Sequence, residues 1–511
     1  MKLFLRRNAP LFYALGAMLA LYIPWLNRGF TNLEYVFPMA ARGLSDITNS
    51  DLINAYWDDQ ANPLGYSLIL ASIFRAIGYH EWFWLTRVPA IFGAIFIILS
   101  GFILLRAQNL PGRRHFYLWS LLFVCSPMII AYSTSATADV LPVGLLMLSI
   151  AFFSKSILVN RFEQVFSSVL FGLAVITKYN AAYFGLFFVF LIFLRARSSK
   201  NPFKLWLTQV SIFFGIPAAI VGVYVWWSNS RFDVFISNRL DQTRPNFTNL
   251  VDWAQTLGKY MSFLGLLCGV IPIFAAVGLG GISKFKPKHV FVLAVLTVFG
   301  LLLSKPLPVG EMDFGQGFPL GASIARILEI FGFINGVAIL QIGWYRIRAS
   351  NRLTQVLMAG LVPYLILIST SRPTQRYLIF VLPIVLIVLI QALDEVPKKL
   401  KYLAVGSTAL GFAGVSLMGM SYLASQGNAS EEMAVWVEDN NLISKTSAGA
   451  IRPHAGQHWW GIEADETRYE IIAVTPSAEA QVKERILHRA PMKVLGKVTR
   501  VYLLREIPGT P

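Results

Sequence analysis

The chain has 511 residues, of which 55% are hydrophobic and only 14% are charged, against about 25% charged residues in an average soluble domain. This composition excludes a soluble globular enzyme. Apolar segments of about 20 residues recur along most of the chain, and this pattern predicts a protein that crosses a membrane many times. The net charge of +17 does not indicate nucleic-acid binding, because the basic residues cluster in short loops between apolar segments.

The first apolar segment, Pro10–Leu26, follows a basic N-terminus. It lacks a small-residue cleavage site, so we interpret it as an uncleaved first span and not as a signal peptide. Basic flanking residues favour the cytoplasmic side of a membrane, which places the N-terminus in the cytoplasm.

The next basic loop, residues 106–115, is also predicted to be cytoplasmic, so an even number of crossings must separate it from the N-terminus. Three apolar segments are available, and the shortest, Pro63–Gly78, contains Arg75. We therefore predict that this segment is an interfacial or re-entrant helix that does not cross. Residues 27–82 then form a first outer loop that carries interfacial helices and is rich in acidic and aromatic residues.

Beyond this loop the apolar segments alternate sides without conflict. They are predicted to span at Phe83–Leu105, Phe116–Tyr132, Val140–Ile157, Phe162–Thr177, Ala181–Leu194, Leu205–Trp227, Tyr260–Gly280, Val290–Ser304, Pro319–Ile342, Leu353–Thr370, Tyr377–Leu393 and Tyr402–Ala424. With the first span they make about thirteen transmembrane helices. The sequence thus predicts an all-α polytopic membrane domain over residues 1–424.

At residue 425 the composition changes to a soluble pattern, and an odd number of spans places this tail outside. Glu431–Asn440 and Ala478–Arg489 have helix-like patterns, whereas Tyr469–Val474 and Val494–Arg505 have strand-like ones. Residues 425–511 are therefore predicted to form a small α/β domain on the outer face, near the lower size limit for an independent core.

Several charged residues lie at the predicted outer ends of spans. A charge near the bilayer is energetically costly, so such residues are candidates for a function. Asp139 fits a helix N-cap, and a capping residue can also be catalytic. Lys178 lies in a tight outer turn, and Arg372 and Arg376 flank another, against the inside bias of basic residues. These three cations suit phosphate recognition. Snorkelling and lipid-headgroup contact are the alternatives.

Other polar groups do not define a functional site. Arg326 and Glu329, three positions apart in one span, are expected to be structural and to pair with each other or with an adjacent helix. His454 and His458 are too few to define a metal site. The clustered outer carboxylates permit a divalent cation without requiring one, so no metal site is predicted.

Ordered stretches between Thr31 and Ile192 resemble one family of membrane enzymes. In chain order the stretches are Tyr35 with Ala40–Gly43, Asn62–Tyr66, Ser126–Ser133 ahead of Asp139, Gly172–Tyr179, and further on Arg376–Tyr377. Their order and spacing are similar to the GT-C superfamily of membrane glycosyltransferases, in the branch of protein O-mannosyltransferases and lipid A aminoarabinose transferases. The resemblance implies about thirteen spans, juxtamembrane helices in the first outer loop, and sugar transfer from a polyprenyl-phosphate carrier, usually with inversion.

The resemblance also implies residue roles. The family's first loop usually opens with Asp-Glu, where this chain has Leu33-Glu34, or Asn32-Leu33 in another register. Glu34 is the first candidate for the base that activates the acceptor. Asp139 is the second candidate, and Asp58 and Asp59 are further ones. The residues expected to bind the donor phosphate are Lys178, Arg372 and Arg376. Those expected in an acceptor or sugar pocket are Tyr35, Asn62, Tyr66 and Tyr179.

The sequence therefore predicts an inverting glycosyltransferase that moves a sugar from a polyprenyl-phosphate donor to a hydroxyl of a lipid, glycan or protein acceptor. The reaction is expected at the periplasmic face of a bacterial inner membrane, with the lipid bilayer and no nucleic acid as partner. The alternative is a transporter or flippase of an amphiphilic anion. That activity needs charged groups near mid-membrane on several spans, and only Arg326 and Glu329 were expected there.

Overall fold

A computed structural model describes residues 2–31, 34–45, 51–59, 62–78, 83–106, 112–155, 161–197, 201–234, 250–278, 322–348, 352–370, 374–447 and 467–507. It is mostly helical (80%) and carries a small C-terminal sheet. The helices are α1 (Lys2–Tyr22), α2 (Val36–Ser45), α3 (Asp51–Asp59), α4 (Gly65–Ile77), α5 (Phe83–Arg106), α6 (Gly112–Cys125), α7 (Pro127–Ser133), α8 (Val140–Lys155), α9 (Arg161–Thr177), α10 (Gly185–Ala196), α11 (Pro202–Phe232), α12 (Leu250–Leu266), α13 (Ile271–Gly278), α14 (Ala322–Arg348), α15 (Arg352–Ser369), α16 (Leu382–Ala392), α17 (Lys398–Asp439) and α18 (Pro476–Glu479).

Several of these helices are long and apolar enough to cross a membrane. Four qualify alone: Phe83–Leu105, Pro202–Phe232, Arg326–Arg346 and Lys398–Asp439. Two bent pairs, α6 with α7 and α12 with α13, raise the number to six if each pair is one span. Other predicted spans coincide with shorter apolar helices, and Val290–Ser304 lies outside the described residues. The chain is thus a membrane protein with several apolar helices, and thirteen crossings stay a prediction.

The first loop folds as the short helices α2, α3 and α4. Helix α4 covers most of the predicted Pro63–Gly78 segment and stops at Gly78, whose φ of 84° favours glycine. The Arg75 guanidinium donates to the Leu44 carbonyl oxygen at 2.6 Å, and the Ser67 hydroxyl donates to the Phe37 carbonyl oxygen at 3.0 Å. Because both acceptors lie in α2, these bonds fasten α4 to α2.

The C-terminal part contains a four-stranded sheet in the order β1-β2-β4-β3. Its strands are β1 (Thr446–Ser447), β2 (Tyr469–Val474), β3 (Ile486–Val494) and β4 (Lys497–Glu506). Strand β1 runs parallel to β2, and the other pairings are antiparallel. The apolar face of the sheet, including Ile471, Met492 and Leu504, packs on Met433 and Val437 of helix α17.

One prediction for the tail is wrong. Ala478–Arg489 is not one helix, since α18 ends at Glu479 and β3 starts at Ile486. The predicted span Tyr402–Ala424 and the predicted helix Glu431–Asn440 are parts of one continuous helix, α17, of 42 residues. The strand Tyr469–Val474 is confirmed. The proposed domain boundary after residue 424 therefore falls inside a helix, which extends from the membrane bundle to the sheet.

A close crossing holds helix α5 against helix α8. Helices α5 and α8 meet at Gly93 and Gly144, where a Cβ built on Gly144 would lie 2.4 Å from the Gly93 carbonyl oxygen. Such small residues let helix backbones approach closely in a membrane. The crossing fixes α5, which carries Arg87, against α8, which begins directly after Asp139.

Replacing Gly144 with leucine is expected to separate these helices. The new side chain has no space against the Gly93 backbone, so the free energy of unfolding should fall by about 1–3 kcal/mol or more. Thermal unfolding in detergent measures this loss. Gly222→Ala in α11 is the control, because a Cβ there meets nothing within 4 Å. Equal unfolding temperatures for the Gly144 variant and wild type would contradict a tight crossing.

Candidate functional site

Glu34 lies at the centre of a buried ionic cluster. Its Oε2 accepts from Arg28 Nη1 at 2.7 Å and from the Thr31 backbone amide at 2.7 Å. Its Oε1 accepts from Arg87 Nη2 at 3.2 Å and from the Ala136 backbone amide at 2.8 Å. We call Arg28, Thr31, Glu34 and Arg87 the Glu34 cluster. All four residues are buried, so the carboxylate has exchanged water for donors on both of its oxygens.

The two guanidiniums of this cluster have further acceptors. Arg28 donates to the Ser135 hydroxyl at 2.8 Å and to the Thr134 carbonyl at 3.3 Å. Arg87 donates to the carbonyls of Leu26 and Arg28 at 2.6 and 2.7 Å. Buried charges require this degree of pairing. The cluster therefore joins the start of the first loop, helix α5 and the turn after α7.

The same contacts set the ionisation of Glu34. Burial raises the pKa of its carboxyl, but the guanidiniums of Arg28 and Arg87 outweigh burial and lower that pKa from 4.5 to about 2. Glu34 is therefore ionised at neutral pH. A carboxylate of low pKa with both oxygens occupied is poorly suited to accept a proton.

This pKa predicts a pH-dependent contribution to stability. Because the folded-state pKa lies below the ordinary value, the ionised group stabilises the fold above about pH 4.5. The contribution is lost as pH falls towards 2. Glu34→Gln should therefore be much less stable than wild type at pH 6, and the difference should shrink in acid. Thermal unfolding of both proteins between pH 6 and 3 checks this, and a difference that does not change with pH would contradict it.

A second buried group of charges surrounds Asp139. The Lys178 ammonium donates to Asp139 Oδ1, and both side chains are buried. Lys178 also lies 5.4 Å from the ring centroid of Tyr377. Burial raises the pKa of the Asp139 carboxyl, but Lys178 and then Arg376 outweigh it and lower that pKa. We call Asp139, Lys178 and Arg376 the Asp139 cluster.

The predicted pocket residues differ in their contacts. Tyr66 donates its hydroxyl to the Thr86 carbonyl at 2.8 Å and interacts electrostatically with Glu34 and with Asp139. Tyr179 is half-buried and shares a hydrogen bond with Tyr224. Asn62 accepts at its backbone carbonyl from Tyr56, and Tyr35 is buried beside Glu34 in the chain. Tyr66 therefore lies within electrostatic range of a carboxylate in each cluster, and Tyr179 follows Lys178 directly.

An apolar groove of about 460 Å³ lies between α4, α9 and α11. Its lining includes Leu68, Ile176, Ile220 and Trp227, together with Tyr224. The Tyr224 hydroxyl accepts from the Leu64 backbone amide at 2.8 Å. Because Tyr224 also bonds to Tyr179, the groove wall is connected to the turn that carries Lys178.

Some predicted site residues fall outside what the structure describes. Arg372 lies outside the described residues, as do the side chains of Asp58 and Asp59, whose backbones form the end of α3. The predicted Arg326–Glu329 pair is confirmed, with a distance of 2.5 Å between Nη1 and Oε2. Within the described ranges, no group of three or more His, Cys, Asp or Glu residues is placed to hold a metal ion.

Arg28 and Arg87 are site residues that the sequence patterns above do not predict. Both lie where a basic residue is unexpected, since Arg28 follows the first span on the predicted outer side and Arg87 lies inside an apolar segment. The same bias of basic residues towards the inner side that marks Lys178 as unusual also marks these two arginines. That bias does not predict that both arginines pair with Glu34, because Glu34 is 53 residues from Arg87 in the chain.

Comparisons with known proteins bear on this site. A model of the dolichyl-phosphate-mannose-protein mannosyltransferase family matches residues 61–224, which include Asp139 and Lys178. This match confirms the resemblance to the GT-C superfamily. A search among curated proteins found no match.

Solved structures with a similar arrangement were also found. ArnT from Cupriavidus metallidurans bound to undecaprenyl phosphate shares 13% identity over 99% of both chains, with a TM-score of 0.47. Its apo state shares 13% identity over 99% of this chain and 98% of that chain, with a TM-score of 0.49. An Archaeoglobus fulgidus oligosaccharyltransferase shares 14% identity over 89% of this chain and 58% of its own, with a TM-score of 0.46.

Proposed function

We propose that the chain is an inverting glycosyltransferase that takes a sugar from a polyprenyl-phosphate donor and transfers it to a hydroxyl of a lipid, glycan or protein acceptor. The observation that carries this proposal is the Asp139 cluster, in which two cations act on a buried carboxylate. An apolar groove supports it, because the groove residue Tyr224 shares a hydrogen bond with Tyr179, the residue after Lys178. A phosphate-linked lipid has the matching chemistry, with an anionic head and an apolar chain.

The charges of the cluster fit such a donor. Asp139 carries one negative charge against the positive charges of Lys178 and Arg376, which leaves one positive charge. A polyprenyl-phosphate sugar is a phosphodiester with one negative charge, so its binding would neutralise the cluster. Charge-assisted hydrogen bonds from Lys and Arg to phosphate oxygens are strong, and they strengthen as charge develops on the leaving phosphate.

Each residue then has a role in transfer. The acceptor oxygen attacks the anomeric carbon, the bond from that carbon to the phosphate oxygen breaks, and the phosphate leaves with the electron pair. Lys178 and Arg376 hold that phosphate, with Arg372 as a third candidate from the same turn. Asp139 takes the proton of the acceptor hydroxyl. When the donor phosphate shares Lys178, the carboxylate loses part of its partner and becomes a better base.

The remaining expectations complete the proposal. Tyr66 and Tyr179, which border the Asp139 cluster, orient the sugar or the acceptor, with Tyr35 and Asn62 as further candidates. The groove lined by Ile176 and Tyr224 holds the first isoprene units. We place the reaction at the periplasmic face of a bacterial inner membrane, with the N-terminus in the cytoplasm and the C-terminal part, residues 425–511, outside.

One assay tests the activity. Purified protein is incubated with a panel of radiolabelled polyprenyl-phosphate sugars and a membrane extract, and label is followed in lipid, glycan and protein fractions. Appearance of label in an acceptor supports the proposal. Reconstituted vesicles loaded with the same donors provide the contrasting result, since unchanged label crossing the bilayer would indicate a flippase instead.

A further inference from the structure

The contacts of Glu34 point to a role other than proton transfer. Its Oε1 accepts from the Ala136 amide at 2.8 Å, and its partner Arg28 donates to Thr134 and Ser135. Ala136 lies three residues before Asp139. The Glu34 cluster thus holds the turn from Thr134 to Asp139 at both backbone and side-chain atoms.

Helix α17 holds the other side of the Glu34 cluster. The Gly29 backbone amide donates to Asn428 Oδ1 at 3.0 Å, and the Gly29 carbonyl accepts from Arg28 and Arg87. The two backbones touch here, since a Cβ built on Gly427 would lie 2.4 Å from the Gly29 carbonyl oxygen. The helix that carries the C-terminal sheet therefore fixes the loop that bears Arg28 and that supplies the Gly29 carbonyl to Arg87 of α5.

We propose that Glu34 is a positioning residue, and that Gly427 and Asn428 of helix α17 act with it to hold the Thr134–Asp139 turn so that Asp139 faces the acceptor. The role assigned to Asp139 rests on the proposed function. The proposal that these residues hold the turn does not rest on that function, because it concerns only the contacts that keep the turn in place. Misplacement of a reacting group by about 1 Å costs on the order of 100-fold in rate, so such contacts affect turnover strongly.

Gly427→Ala is the sharpest test, because it changes no charge and removes no hydrogen-bonding group. Its methyl group must displace the Gly29 backbone, whereas the matched control Gly411→Ala, in the same helix, places a methyl group in open space. We expect faster hydrogen–deuterium exchange at the Ala136 amide in the Gly427 variant and unchanged exchange in the control. This measurement requires no substrate, so it holds even if the transfer assay fails.

Two further variants complete the test. Asn428→Ala should raise exchange in the same turn, whereas Asn440→Ala, an exposed asparagine near the end of the helix, should not. Glu34→Gln should raise exchange in this turn more strongly. Its control is Glu329→Gln, which removes another buried carboxylate from an ion pair, in helix α14. In transfer assays, Gly427→Ala and Asn428→Ala should lower kcat about 10- to 100-fold, leave the donor KM nearly unchanged, and keep the pH profile of the wild type.

Several results would overturn the inference. Unchanged exchange at Ala136 in both the Gly427 and Asn428 variants would show that helix α17 does not hold the turn, even if Glu34→Gln fails to fold. Normal turnover with raised exchange would show that the position of the turn is unimportant. Loss of the pH dependence of kcat in Glu34→Gln, with its retention in Asp139→Asn, would make Glu34 the base.

Discussion

Asp139→Asn is expected to lower the rate of sugar transfer by about 10²–10⁴-fold at saturating donor, while the protein still folds and binds the donor lipid. Asparagine fills nearly the same space but cannot accept the acceptor proton. It also removes the negative charge that Lys178 and Arg376 share, so affinity for the donor phosphate should stay equal or rise. This combination of lower kcat and unweakened donor binding distinguishes a lost base from a lost binding site.

The measurement is an initial-rate series at increasing donor concentration, with unfolding temperature as a check on the fold. Asp233→Asn is the matched control: it removes a carboxylate at the end of α11, where the exposed residue has a φ of 55° that asparagine also tolerates. The control should turn over normally. Wild-type kcat in Asp139→Asn would mean that another group, such as Asp58 or Asp59, accepts the proton.

The local patterns in the sequence predicted the local structure best. The strand-like segment Tyr469–Val474 forms the predicted strand, and the apolar patch in the first loop forms helix α4. Ala478–Arg489 failed because its helix-favouring residues are overridden by pairing: Ile486 to Val494 form a hairpin with β4 across Leu495 and Gly496, which both have positive φ. Propensity describes a segment by itself, whereas a strand depends on its partner.

In the candidate site too, local patterns did not predict the contacts between residues distant in the chain. The rule that basic residues favour the inner side singled out Lys178 and Arg376, because both lie on the predicted outer side. It could not pair Lys178 with Asp139, which is 39 residues away, nor place Glu34 between two guanidiniums and the Ala136 amide. Glu34 was therefore expected to be a base, and only its contacts indicate a positioning role. Long-range contacts follow from the packing of helices, which the pattern of one segment does not contain.

Lys178→Ala is expected to weaken the binding of polyprenyl phosphate by about 10- to 100-fold, since a hydrogen bond to a charged group contributes about 1.5–3 kcal/mol. The expected loss is larger for this lipid than for a neutral polyprenol, because the lysine meets the phosphate and not the chain. Binding is measured by titrating the lipid into detergent-solubilised protein. Arg326→Ala is the control, since it also removes a cation from an ion pair with a buried carboxylate but lies in another helix, α14.

The lysine substitution has a second effect that must be separated from the first. It leaves Asp139 buried beside Arg376 without its closest cation, and an unpaired buried charge can disturb a site by several kcal/mol. In the double variant Asp139→Asn with Lys178→Ala, no unpaired carboxylate is left buried, but the ammonium that would bind the phosphate is still absent. If Lys178 binds the donor, the double variant should bind polyprenyl phosphate about 10-fold or more weakly than Asp139→Asn alone. Equal binding by these two proteins would mean that Lys178 serves only to neutralise Asp139, and the phosphate would then have to be held by Arg376 and the turn before it.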